Sequence, residues 1–103
     1  MMQLAPQGNP VWDLAGRLCD TYLKFKERLQ PYNIPTGILV QSVLGHGHPL
    51  VHAPFQRYVN LDDGASPNVY CPYDDDFCEY MKDSMAKIAS CNPDVIMIDD
   101  DMR

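Results

Sequence analysis

The sequence predicts an α/β fold built on parallel strands, and three observations predict it. Two stretches, within residues 10–30 and 74–92, carry apolar residues at helical spacing. Two shorter runs, within residues 34–44 and 94–98, are apolar on both faces, as strands of a covered parallel sheet are. The order helix, strand, long loop, helix, strand is that of one β-α-β unit behind a leading helix. A chain of 103 residues with 46 % hydrophobic content suits one small domain. Residues 10–103 are assigned to it, and residues 1–9 to a flexible lead.

The first helix is announced by Asn9 as a cap and Pro10 at the first helical position. Val11, Leu14, Leu18, Tyr22, Phe25 and Leu29 then follow in steps of three and four, with Ala15 beside them, one continuous apolar stripe. Trp12, Tyr22 and Phe25 lie on or beside that stripe and read as core residues. Pro31 stops the helix behind a basic last turn. The first strand spans Ile34 to Leu44, and Gly45, Gly47 and Pro49 end it. Residues 45–74 read as a long loop rich in Gly, Pro, His, Asn and Asp, with room for one short irregular element between Val51 and Val59. The second helix starts near Asp74–Asp76, whose carboxylates suit a cap and first turn, and a calcium loop is not spelled there. Phe77, Tyr80, Met81, Met85, Ile88 and Ala89 give its buried stripe, and Pro93 ends it. Asp94 to Ile98 forms the second strand.

The two strands are expected to be parallel, joined by a right-handed crossover, and covered on both faces. Two parallel strands do not make a stable sheet by themselves, and two helices cannot enclose them. The sequence therefore reads as part of a larger α/β protein, or as a chain that completes its sheet with another copy.

Composition narrows the function. Eight Lys plus Arg stand against 14 Asp plus Glu, a formal charge of −6. That balance disfavours a nucleic-acid surface and docking on anionic lipid. No apolar run approaches the roughly 20 residues of a membrane span. The start of the chain has neither a basic region nor an apolar core of signal type, so a cytoplasmic location is expected. Cys19, Cys71, Cys78 and Cys91 lack zinc-like spacing and read as reduced thiols, at least two of them buried in helices, with a Cys71–Cys78 bridge open only to an oxidising compartment. Dinucleotide, P-loop and nucleophile-elbow motifs are absent.

In α/β sheets ligands bind beyond the carboxyl ends of the strands. His46, His48, His52 and Arg57 follow the first strand; Asp99, Asp100, Asp101 and Arg103 follow the second. Adjacent carboxylates repel, which raises the pKa of at least one and equips a pair for general acid and base work. A solvated acidic strand end, a sugar or polar-substrate site and a metal site all fit this triplet. His46 and His48 with an Asp would suit a metal-dependent hydrolase, given further ligands; they equally suit loop histidines held by hydrogen bonds. Arg57 either holds a carboxylate or ties its loop to Asp62 or Asp63.

Several segments together resemble the early part of TIM-barrel proteins related to glycoside hydrolases. They are Ile34-Pro35-Thr36-Gly37-Ile38-Leu39-Val40-Gln41, Gly45-His46-Gly47, Pro54-Phe55-Gln56-Arg57, Cys71-Pro72-Tyr73, and the closing run from Asn92 to Arg103 with its Asp-Asp-Asp-Met-Arg end. The resemblance covers residues 32–103. It implies a partial (β/α)8-barrel segment bearing part of a carbohydrate rim. By the resemblance His46, Asp100, Asp101 and Arg103 would line a carbohydrate pocket, while the catalytic acid and nucleophile of such barrels come from later strands. In this chain Asp100 and Asp101 are the candidate catalytic carboxyls, and His46, His48, Arg57 and Arg103 the candidate substrate-binding residues. The barrel would be completed by a longer chain or by oligomerisation, with no metal and no other cofactor. A full barrel takes about 250 residues, so the chain alone is expected to be inactive. Two alternatives stand beside it: a self-associating α/β module without activity, and a metal-dependent hydrolase using His46, His48 and an Asp.

Overall fold

The helical periodicities close into two helices of 16 residues each. The structure, a computed structural model, describes residues 2–3, 14–42, 54–62 and 64–98. Helix α1 runs Leu14–Leu29 with Lys26 and Arg28 in its last turn; the expected start at Asn9 and Pro10 lies outside the described residues. Pro31 ends it through a 3-10 turn, Gln30–Tyr32. Asn33 closes this turn in the left-handed region (φ 54°), donating its N–H to the Gln30 carbonyl at 3.0 Å. Helix α2 runs Asp75–Ser90 behind Asp74 as cap, with Asp75 and Asp76 facing the positive end of the helix dipole. It ends at Cys91 and left-handed Asn92 (φ 50°), whose N–H groups return to the Ile88 and Ala89 carbonyls.

Five strands occur in chain order: β1 (Met2–Gln3), β2 (Gly37–Ser42), β3 (Arg57–Asn60), β4 (Gly64–Tyr70) and β5 (Val95–Ile98). β1, β2 and β5 form a parallel sheet in that order. Gly37 pairs with Val95 and Val40 with Ile98, so the two strands read from the sequence are parallel neighbours as expected. Two features differ from expectation. The sheet gains a third strand from residues assigned to the lead, and the long loop holds an antiparallel hairpin, β3 against β4. Gly64, at φ 78°, opens β4 in a conformation that glycine adopts without strain.

Both helices pack on one face of the parallel sheet. Ala15, Cys19 and Tyr22 of α1 meet Ile88 and Cys91 over Ile38 and Val40, with Leu18, Met81, Met85 and Ile96 at the margin. Val40 and Ile88 are fully buried. On the other face Val95 is 58 % and Met97 60 % exposed. The expectation of strands covered on both faces is therefore corrected. The cause lies in the strand order. When each new strand is added on the same side of the last, crossovers of constant hand put every helix on the same face.

A second, smaller core joins the hairpin to α2. Tyr70 and Phe77 are buried there against Phe55, Tyr80 and Met81. Phe55 stands edge-on to Tyr70 and Phe77, with ring centroids 5.7 and 5.5 Å apart, a geometry that aligns ring edges with ring faces. Met81 touches both cores.

Candidate functional site

The carboxyl ends of β2 and β5 define the rim at which a ligand site is expected. Val40 and Ile98 pair across them, and β2 continues to Ser42. Strand pairing in register sends the chain out of both strands at the same edge of the sheet. Residues His46, His48, His52, Asp99, Asp100, Asp101 and Arg103, which follow these ends in the sequence, lie outside the described residues.

Arg57 is the one candidate within them. It opens β3 opposite Tyr70 and is half-buried. Its expected tie to Asp62 is not formed: Asp62 instead donates its backbone N–H to Asn60 Oδ1 at 3.3 Å, shaping the hairpin turn. Asp63 lies outside the described residues. Lys82 and Glu79 form an exposed ion pair at 3.1 Å along α2, a pair that contributes little to stability. The thiols of Cys71 and Cys78 are reduced, and Cys78 donates to the Pro72 carbonyl at 3.1 Å.

Asp74 positions the segment leading into β3. Its Oδ1 accepts from the N–H groups of Asp76 and Phe77 at 3.0 and 3.2 Å, and its Oδ2 accepts from the Gln56 N–H. Cys71 N–H adds a bond to the Gln56 carbonyl at 2.8 Å. The Gln56 bond most of all, then those from Phe77 and Asp76, hold the Asp74 carboxyl below its ordinary pKa against an opposing effect of desolvation. Nearby, burial raises the Tyr80 hydroxyl above its ordinary range, while a hydrogen bond with Ser84 works the other way.

The opposite end of the sheet carries a polar clasp that the sequence reading did not include. Thr36 N–H donates to Asp94 Oδ2 at 2.7 Å, and Asp94 N–H returns to the Thr36 carbonyl at 2.9 Å. The Tyr22 hydroxyl lies 2.9 Å from Thr36 Oγ1 and 3.2 Å from its carbonyl. Lys26 donates to the Asn92 carbonyl and stands 5.9 Å over the Tyr22 ring. An open groove of about 510 Å³ borders this clasp, lined among others by Lys26, Glu27, Thr36 and Asp94. The clasp's polar groups satisfy one another, and it sits at the amino ends of the strands, the face of β/α sheets that serves stability. Asp94 preceding an apolar run was the available sequence signal, but its partner Thr36 is 58 residues away.

Among the described residues no group of three or more His, Cys, Asp or Glu could hold a metal ion, and no helix is long and apolar enough to cross a membrane. Comparison with known proteins finds no family model, no curated protein and no solved structure that matches the chain.

Proposed function

We propose that the chain is a segment of a (β/α) barrel of glycoside-hydrolase type, contributing part of a carbohydrate-binding rim and inactive without the remaining strands. The observation that supports this most is the one-sided sheet. Sequential parallel strands with all their helices on one face are the arrangement of a barrel wall, whose inner face is packed by side chains from the other strands. The bare row of Val95 and Met97 is what such a wall presents before its interior is filled. A doubly wound sheet, in contrast, reverses its strand order and carries helices on both faces.

The rim chemistry then falls to residues that follow the strands. Asp100 and Asp101 are the acidic pair, with His46, His48 and Arg103 as polar contacts for sugar hydroxyls. Arg57, at the foot of the hairpin, is the more distant contact. Glycoside hydrolysis takes two carboxyls flanking the scissile bond, and this wall delivers acid from one strand end. Affinity electrophoresis of the 103-residue chain through gels containing soluble polysaccharides, alongside assays on chromogenic glycosides, tests the proposal. Retention by at least one polysaccharide, weakened about tenfold in Asp101→Ala as expected for one lost charged hydrogen bond, with no turnover, is the expected result. Absence of retention in every gel overturns it. Turnover abolished by Asp100→Ala would overturn the inactive part.

The same bare row favours a second reading, a self-associating α/β module in which another copy covers Val95 and Met97. A stable monomer at high dilution, measured by light scattering after size exclusion, counts against it.

A further inference from the structure

We propose that Cys19 and Cys91 form a redox-active dithiol, which closes to a disulfide that locks α1 onto the carboxyl end of α2. The two thiols share one acceptor. Cys19 Sγ donates to the Lys87 carbonyl at 3.3 Å, and Cys91 Sγ donates to the same oxygen at 3.6 Å. The sulfurs can therefore be no farther apart than these two contacts laid end to end. Both side chains belong to the core over Ile38 and Val40, so packing holds each thiol toward the other and away from bulk water. A disulfide requires the sulfurs to close to about 2.05 Å, and rotation of the side chains between staggered wells is how cysteine sulfurs move.

Access is supplied by position. Cys91 is the cap residue at the end of α2, held by its N–H to Ile88, and helix ends are where local opening costs least. Cys71 and Cys78 are nearer in sequence and more exposed, yet no shared acceptor draws them together: the Cys78 thiol turns to the Pro72 carbonyl.

The reaction is thiol–disulfide exchange with a small-molecule disulfide as oxidant. The thiolate of one cysteine attacks the oxidant, its S–S bond breaks, and one small thiol leaves. The second cysteine's thiolate attacks the resulting mixed disulfide at the protein sulfur and expels the second small thiol. Two protein S–H bonds are lost, one protein S–S bond forms, and the two protons end on the two released thiols. The chain is oxidised by two electrons and the oxidant is reduced by two.

The test uses the whole native chain with glutathione disulfide, quenching by alkylation, tryptic digestion and mass spectrometry without reduction. Cys19 falls in peptide 18–24 and Cys91 in peptide 88–103, whereas Cys71 and Cys78 share peptide 58–82. A Cys19–Cys91 bond therefore links two peptides, and a Cys71–Cys78 bond only lightens one. The expected result is the linked pair 18–24 with 88–103 as the main product, and a Tm raised by about 10 °C that returns on reduction. Cys19→Ser is expected to leave Cys91 carrying a glutathione adduct. Separate glutathione adducts on Cys19 and Cys91 in the unaltered chain, a bond confined to peptide 58–82, or no reaction at either core thiol would overturn the proposal.

Discussion

Asp74 shows how much one carboxylate can hold. It caps α2 through two amides and fastens the approach to β3 through a third, so its charge is worth more in the folded chain than in the unfolded one. The direction of its pKa shift fixes a pH dependence. A carboxyl held below its ordinary pKa stabilises the fold above that ordinary value, and the contribution is lost as pH falls through the folded pKa. Unfolding of the native chain by urea is thus expected to become easier as pH falls below about 4. Asp74→Asn, less stable at neutral pH, should show a shallower loss over the same interval. Equal slopes in the two proteins would show that other carboxyls carry the acid response. This residue was legible as a cap from its place before an apolar stripe. Its third bond, to Gln56, was not, because nothing local in the sequence links position 56 to position 74.

Legibility at the scale of elements followed the regularity of each pattern. Both helices came from repeated spacing and both apolar strands from unbroken apolar runs: Ala15, Leu18 and Tyr22 of the first stripe, with Ile38, Val40 and Ile96 of the runs, lie in or against the core, joined by Cys19 from beside the stripe, whereas Phe25, expected in the core, is exposed. The hairpin escaped because β4, Gly-Ala-Ser-Pro-Asn-Val-Tyr, has no alternation and relies on Tyr70 for its anchor in the aromatic core. Its one local signal was Asp63-Gly64, a turn dipeptide whose glycine does adopt positive φ. β1 is two residues long and holds no readable period. The contact between β2 and β5 depends on an absence, since a Cβ on Gly37 would meet the side chain of Val95 and come within 2.7 Å of its carbonyl oxygen. That oxygen is backbone and cannot rotate aside. Gly37→Ala is expected to destabilise the fold by about 1–3 kcal/mol, seen as a lower urea midpoint. An unchanged midpoint would mean that the strands can separate at this pair without cost.

The described part of the molecule holds two small cores. One core is the helix-covered face of the parallel sheet and the other the aromatic cluster under the hairpin. The bare face of the sheet makes a prediction of its own. Met97→Thr replaces a side chain that is 60 % exposed, so stability should move by less than about 0.5 kcal/mol, while binding of the apolar dye ANS falls. A loss of several kcal/mol would show the row to be packed in solution. What could not be read from the sequence at this scale is which face the helices choose, because that depends on strand order, and strand order on the short β1.

Met81 reaches into both cores through a flexible thioether. Conversion of that sulfur to a sulfoxide would put a polar, hydrated group where the two cores meet. Calorimetry of such a damaged chain would then record two separate heat-absorption peaks, hairpin end first, where the intact protein gives one.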